Sequence, residues 1–485
     1  MKHFRFLNML VAIWLALALI GFPSSHASAG GALVVTMVND GSDANPGDGF
    51  CAISGGSCTL RAAIEEANAH AGADNIIFSL PGAGIHVMSI TSGPLPTITD
   101  TLNLDGTSQP NCTVPCIVLS GASLPAGAKH GLRVASNNSI IKGFIITSWN
   151  TSSGPGNSYG IFITGNNNII QANDIGFWPG NPTPLGNGSG ISLFGTGNLI
   201  GGTTPNERNV ISGNGYGIVV ANAVDGNTPT SGNKIQGNYI GANAAGNAAL
   251  GNQLTGVVVF MGGSNTLIGG PTSGARNVIS GNRAGIYYTG STTTIQNNFI
   301  GTNAAGNAGL GNTQDGIYSD AGSGVITGNR IAFNAGKGIN IYGSAVRATV
   351  RRNSIFSNTS LGIDLGSNGV TLNDTGDVDA GPNRLQNFPS IISATSSTRV
   401  VTGRLSSRAN TKYTVEIYSS PTCDSSHYGE GKVYLGAVSV TTNGSGVGSF
   451  SVAVLGNFAV GSKITATAID PAGNTSEFSA CRAAN

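Results

Sequence analysis

Charge is scarce in this chain. Acidic and basic side chains make up 9% of it, 23 Lys and Arg against 22 Asp and Glu, for a net charge of +1. Loss of a leader carrying Lys2 and Arg5 takes that to −1. A near-neutral chain has no electrostatic footprint for nucleic acid or anionic lipid. Aromatics are few, at 6%, and after residue 29 no stretch is apolar enough to span a bilayer. The six cysteines all follow residue 29, and no His stands at ligand spacing beside any of them, which disfavours zinc. Glycine, by contrast, is abundant at 74 residues, and 40% of the chain is hydrophobic, with Val and Ile at regular spacing. That combination describes many short strands with tight turns, not a flexible linker.

The first residues read as a secretory signal. Lys2, His3 and Arg5 form a basic n-region, Leu7 to Phe22 an apolar core, and Ala27-Ser28-Ala29 a cleavage site. The expected location is therefore secreted or at the cell surface, with no transmembrane segment after cleavage. An even cysteine count in an exported chain favours disulfides. Cys51 with Cys58 and Cys112 with Cys116 are local pairs; Cys423 with Cys481 is the pair that remains.

One phrase recurs along the middle. It appears as Asn209-Val-Ile-Ser-Gly-Asn214, Asn233-Lys-Ile-Gln-Gly-Asn238, Asn277-Val-Ile-Ser-Gly-Asn282 and Val325-Ile-Thr-Gly-Asn329. A second mark is Gly before an aliphatic residue, from Gly160-Ile161 through Gly285-Ile286 and Gly316-Ile317 to Gly362-Ile363. Late in the array the marks fall 22 and 24 residues apart. That period is too short for a helical hairpin and suits one turn of a β-solenoid. Ile and Val at alternate places fill the core, Gly supplies corners of positive φ, and Asn can bond from coil to coil.

The pattern resembles the right-handed parallel β-helix repeat family over roughly residues 130 to 370. Near the mature N-terminus, Pro46-Gly-Asp-Gly-Phe-Cys51 precedes Cys58-Thr-Leu-Arg-Ala-Ala-Ile-Glu-Glu-Ala-Asn68. This resembles the Cys-Ser-Leu-Arg-Glu-Ala (CSLREA) domain that precedes β-helices in exported bacterial proteins, with Thr59 and Ala62 departing from it. Leu60, Ala63, Ile64 and Ala67 share one helical face, so the segment is expected to cap the first coil. Strand-like runs at Lys412–Tyr418, Val433–Thr442, Ser449–Val454 and Ser462–Ile469 describe a β-sandwich, and Ile464-Thr-Ala-Thr-Ala-Ile-Asp-Pro-Ala-Gly-Asn-Thr-Ser-Glu-Phe478 resembles the last strands of immunoglobulin-like modules of bacterial surface proteins. The expected fold is all-β: a right-handed parallel β-helix with an N-terminal capping helix and a C-terminal immunoglobulin-like sandwich. The expected boundaries are 1–29 signal, 30–129 capping region with first coils, 130–385 β-helix and 386–485 sandwich.

Catalytic patterns are thin. Between Gly131 and Ser367 the acids are Asp174, Glu207, Asp225, Asp315, Asp320 and Asp364, and no two make a tight sequence pair for glycoside hydrolysis. Arg330, Lys337, Arg351 and Arg352 stand near Asp364, so a lyase site there is an alternative to solvated charges. Asp374, Asp377 and Asp379 form the densest acidic run and could ligate calcium, although the spacing fits neither an EF-hand nor a toxin-repeat nonapeptide; the alternative is a solvated turn. If the Ile after each repeat Gly faces inward, the next residue faces out. That ladder reads Phe162, Ser192, Val219, Val258, Tyr287, Tyr318, Asn340, Asp364, with Tyr342 outward as well. Tyr287, Tyr318 and Tyr342 beside Asn340 and Asp364 make a stripe suited to sugar rings and hydroxyls. The favoured expectation is a monomeric binding or adhesion protein with glycan as partner and no catalysis. Its rivals are a polysaccharide lyase or hydrolase and a purely structural surface protein.

Overall fold

A computed structural model describes residues 31–112, 115–124, 130–149, 158–179, 183–222, 230–260, 262–290 and 292–485. The signal segment expected over residues 1–29 lies outside them. The chain winds into a right-handed parallel β-helix of three sheets. Among the described residues sheet 1 holds eleven strands, from Leu33–Val35 to Ala348–Arg351. Sheet 2 holds ten, from His86–Ser89 to Ser354–Phe356, and sheet 3 nine, from His130–Val134 to Ile363–Leu365. From the sheet 1 strand Leu102–Asp105 onward, each coil visits sheet 1, sheet 2 and sheet 3 in turn. Inside, Ile stacks on Ile: Ile170, Ile200, Ile235, Ile268, Ile295 and Ile326 form one column of zero exposure. Burying each such side chain is worth about 1.5–3 kcal/mol.

The Asn-x-Ile-x-Gly-Asn phrase is a strand with a corner residue at each end, and it serves two sheets. Asn209–Asn214 and Asn277–Asn282 carry sheet 2 strands, whereas Asn233–Asn238 carries a sheet 1 strand. At the corner from sheet 1 to sheet 2, Asn173, Asn209, Asn238, Asn277, Asn298, Asn329 and Asn353 stack coil on coil. Each backbone N–H and each side-chain Nδ2 donates to the Oδ1 of the next Asn, at 2.8–3.2 Å. The same Nδ2 also donates back to an Ile carbonyl of the preceding coil, as Asn209 does to Ile170. A second ladder, from Asn187 to Asn358, lines the corner from sheet 2 to sheet 3. Buried amides satisfied in this way remove the desolvation penalty of the turn. Successive rungs of the first ladder are 36, 29, 39, 21, 31 and 24 residues apart. The period of 22 to 24 therefore holds only for the shortest coils; elsewhere insertions enter the turns and leave the corners aligned.

Glycine divides into two roles. Gly213, Gly237, Gly281 and Gly328, before the corner Asn, have φ between 68° and 76°, as corner residues should. The Gly before each sheet 3 aliphatic does not adopt positive φ. There a Cβ on Gly217 would lie 2.3 Å from the Gly256 carbonyl oxygen, and one on Gly285 2.3 Å from that of Gly316. These glycines permit close backbone approach, a correction to the corner role expected for all of them.

Both ends of the stack are closed. Helix Leu60–Ala69 packs Leu60, Ala63, Ile64 and Ala67 against Val35, Ile76 and Phe78 of the first coils. Thr59 caps it by accepting the Ala62 N–H. Arg61 is buried in a two-point pair with Asp40, at 2.7 and 3.2 Å, and also donates to the Gly93 and Pro94 carbonyls. Buried Glu66 accepts the N–H groups of Gly47 and Gly49. These contacts make Arg61 and Glu66 structural. All three expected disulfides form: Cys51–Cys58, Cys112–Cys116 and Cys423–Cys481.

At the other end stands a sandwich of two antiparallel sheets. One holds Ser390–Thr395, Val400–Ser406 and Val447–Ala453; the other holds Val433–Thr441, Lys412–Ser420, Lys463–Ile469 and Arg482–Ala483. It closes the last coil with three glutamates. Glu416 accepts the Arg352 N–H, Glu430 those of Ser357 and Asn358, and Glu477 those of Leu365 and Thr371. Glu430 also accepts from the Asn358 side chain, so it stands where the next Asn of the ladder would be. Phe478 packs beneath Gly362.

Two predictions follow from these contacts. Asn282→Ala removes the side-chain bonds to Asn252, Asn312 and the Ile240 carbonyl from a fully buried corner. It should cost roughly 2–5 kcal/mol in urea unfolding, against about 0.5 kcal/mol or less for exposed Ser273→Ala on the same coil. Burial, reinforced by the Asp364 charge and opposed by the Leu365 and Thr371 N–H groups, pushes the Glu477 carboxyl from 4.5 up to about 7. A raised folded pKa favours the protonated carboxyl, so its contribution is complete below about pH 4.5 and is lost as pH rises through about 7. Melting temperature should fall over that window, and Glu477→Gln should flatten the fall.

Candidate functional site

The outer face of sheet 3 carries the expected ladder in register. Phe162 pairs with Ser192, Ser192 with Val219, Val219 with Val258 and Val258 with Tyr287. Tyr287 then pairs with Tyr318, Tyr318 with Asn340 and Asn340 with Asp364. Its first half is covered. Phe162, Ser192, Val219 and Val258 are buried, and Phe162 stacks among His130, Tyr159 and Phe194. The face opens at Tyr287 and Tyr318, whose rings stack with centroids 4.5 Å apart and planes 15° from parallel. Phe260 meets Tyr287 edge-on at 6.1 Å. Strands of a parallel sheet lie about 4.8 Å apart, so consecutive tyrosines in register stack with little adjustment.

Two cavities share Ala284, Gln314 and Tyr318 and make one groove across these coils. The first, of about 260 Å³, reaches Tyr216, Thr255, Arg283 and Tyr287. The second, of about 240 Å³, reaches Asp315, Asn340, Tyr342 and Ser367. Their polar groups are tied to one another. Tyr287 donates its hydroxyl to Asp320 at 2.9 Å. Asn340 donates to Asp315 at 2.8 Å and to Ser367 at 3.3 Å. Asp315 also accepts the Lys337 N–H. The Lys337 ammonium donates to Ser367 at 2.9 Å and lies 3.5 Å from Asp364. Burial, with the neighbouring Asp320 charge, raises the Tyr287 phenol well above its ordinary value; burial also shifts Tyr318 and Tyr342 upward. The three phenols therefore stay protonated and available as donors at neutral pH.

The structure thus brings Tyr287, Tyr318, Asn340 and Tyr342 together. Asp364 is in the ladder but has zero exposure and lines neither cavity; it lies beneath the groove, paired with Asn340 and 3.5 Å from the Lys337 ammonium. Of the four cations weighed beside Asp364, Lys337 alone stands at the groove. Arg330 lies on sheet 2 over Phe299, and Arg351 and Arg352 lie at the end of sheet 1 toward the sandwich. Gln314, Asp315, Asp320, Arg283 and Ser367 were not anticipated. Asp315 and Lys337 each stand just before a repeat Gly, as do Tyr216 and Thr255, and that position is the signal that could have found them.

Asp374, Asp377 and Asp379 converge at the entry to the sandwich, with one oxygen of each inside a 4.8 Å span. Asp377 is buried and accepts from the Asn387 N–H and the Ser407 hydroxyl. Oδ1 of Asp374 and Oδ1 of Asp379 are buried without a hydrogen-bond partner. Burial and the neighbouring carboxylates raise the pKa of Asp377 and Asp379. No helix among the described residues is long and apolar enough to cross a membrane.

Residues 196–375, well under half of the chain, match the model of a family described as periplasmic copper-binding protein (NosD). No curated protein matches. Among solved structures, the chain is similar to an alginate lyase from Paenibacillus sp. str. FPU-7, at 19% identity and a TM-score of 0.39, over 61% of this chain and 91% of that one. It is also similar to a double mutant of the periplasmic alginate epimerase AlgG, at 13% identity and a TM-score of 0.28, over 60% of this chain and 64% of that one. Both likenesses are distant.

Proposed function

We propose that this is an exported β-helix protein that binds glycan in the sheet 3 groove without catalysis. One observation carries the reading: the stacked Tyr287–Tyr318 wall opens beside Gln314, Asp315, Asn340 and Tyr342. Aromatic faces pack on sugar rings, and amides and carboxylates bond hydroxyls. Binding is favoured over lyase or hydrolase chemistry by how the polar groups are engaged. The phenols are held protonated and so make poor bases. Asp320 is tied to Tyr287, Asp315 to Asn340, and the Lys337 ammonium to Ser367 and Asp364. Export rests on the leader over residues 1–29, on three disulfides, and on the periplasmic description of the matched family. The N-terminal unit is read as a CSLREA-type cap.

The test is retention of the mature protein on columns of neutral and uronate polysaccharides. Wild type should be retained on at least one. Tyr287→Ala with Tyr318→Ala should weaken binding about 10- to 100-fold, since a lost aromatic contact costs about 0.5–1.5 kcal/mol beyond its area. Retention on none would sink the reading, and new unsaturated or reducing ends would replace it with an enzymatic one.

The aspartate trio supports a calcium site at the junction with the sandwich. Two buried oxygens without partners, beside a third carboxylate, are hard donors that suit calcium better than copper. Calcium should raise the melting temperature of chelator-treated protein, and Asp374→Asn with Asp379→Asn should abolish the rise.

A further inference from the structure

A buried carboxyl on sheet 2, away from the groove, has no partner among the described residues. Asp174 belongs to the sheet 2 strand Asp174–Ile175. Ile175 fills the core, so Asp174 faces out. Its register neighbours on that face are Ile145 and Val210, both buried, and the row continues apolar to Val118 on one side and through Tyr239 to Val278 on the other. Asp174 is the acid in this row. It is 6% exposed, and among the described residues its carboxyl has no hydrogen-bond or ion-pair partner. Burial alone lifts it from 3.8 to about 7. A valine here would repeat the neighbouring coils and cost nothing in desolvation. Keeping an acid at such a place is a liability for folding and a mark of a site.

Asp174 lines a cavity of about 430 Å³. Part of its wall is apolar, from Cys112, Pro115, Ala172 and Pro205, with Gly143 between. Arg208 is the charged residue in the rest of the lining, and Thr107 and Asn206 are its polar neutral ones. Arg208 does not neutralise the acid. Its Nε donates to the Gly237 carbonyl at 3.0 Å, and its guanidinium lies over the Tyr239 ring at 4.0 Å.

We propose that this cavity is a binding site for a small organic ammonium ion, a primary amine on an apolar body, whose charged group pairs with Asp174. The ammonium supplies the counter-charge and donors that the fold withholds, and the apolar body matches the proline, alanine and disulfide walls. Other occupants fit less well. An anion would face the carboxylate. A metal ion would find a single carboxylate where several oxygen ligands are needed. Glycoside hydrolysis needs a second carboxyl across the cavity, and the described lining has none. The site is independent of the sheet 3 groove.

The test uses the whole mature protein, with cyclohexylammonium as probe, cyclohexanol as its neutral isostere and calcium as a rival cation. Binding is read by titration calorimetry and thermal shift. Asp174 must be ionised to pair, and Arg208 is the other charged group facing the cavity, so cyclohexylammonium should bind saturably at about pH 8 and about tenfold more weakly at about pH 5. Cyclohexanol should not bind. Asp174→Asn, which keeps the shape, should lose about tenfold or more, the loss of a charge-assisted contact. Asp174→Val, which copies its neighbours, should abolish binding while raising the melting temperature, which separates a lost ligand from a lost fold. Absence of saturable binding, equal binding by Asp174→Asn, equal binding of the alcohol, or calcium binding in place of the amine would each overturn the proposal.

Discussion

The fold depends on one contact repeated coil after coil: a buried asparagine that donates forward to the next asparagine and back to a core carbonyl. A corner in a solenoid leaves backbone groups facing neither sheet nor water, and unpaired they would cost about 1–3 kcal/mol each. An amide in the corner carries both a donor and an acceptor, so one side chain can answer both directions of the stack. The result sets the phase of every coil. Sheets 1 and 2 meet at the first ladder and sheets 2 and 3 at the second, whatever the length of chain between rungs. The similar loops after Ile240 and Ile300 show the freedom this leaves. Asn243 and Asn303 each fold their own turn outside the ladders, and the second loop bonds to the first through Ala304 and Gly246.

A ladder that always hands its bonds to the next rung must end on something that is not a rung. At the final coil an asparagine outside both ladders, Asn383, serves Ala348, and carboxylates serve elsewhere. Glu430 is an acceptor without a donor, so it takes the Asn358 N–H and amide bonds and passes nothing on. Such an ending is required because an open coil edge would template another chain. Two buried acids, Glu416 and Glu477, and a half-buried one, Glu430, within one interface also concentrate desolvation cost. Glu430 and Glu477 are both raised by burial, and Glu477 is raised further by Asp364. The junction between β-helix and sandwich is therefore where acidity and stability are most closely coupled.

Legibility followed the repeat. Columns of Ile, the corner asparagines and the outward ladder to Asp364 could be read because each copy restates the same positions. The cap helix was readable from its apolar face and Cys58-Thr-Leu-Arg motif. What the repeat did not encode was harder to see. The sandwich glutamates act on residues 64 to 112 positions away, and no periodicity links them. Strands Ser390–Thr395 and Val400–Ser406 are short and partly polar, and they escaped notice. Asp364 was readable as outward but not as buried, because its cover comes from Lys337 on a neighbouring coil. The two glycine roles look alike as letters, and only the approach of the next backbone separates them.

The features assigned to binding occupy positions that the ladders leave free. On sheets 1 and 2 the inward Ile and corner Asn are nearly invariant from coil to coil, since each must match the rung above and below. The outward residue of each strand has no such obligation. On sheet 3 it runs from Phe through Ser and Val to Tyr, Asn and Asp; on sheet 2 it runs from Ile to Asp174 and back to Val. Because the coils themselves cannot shift without breaking rungs, side chains on this outer layer are held at fixed spacing before any ligand arrives. A ligand stacked there would lose little by ordering the site.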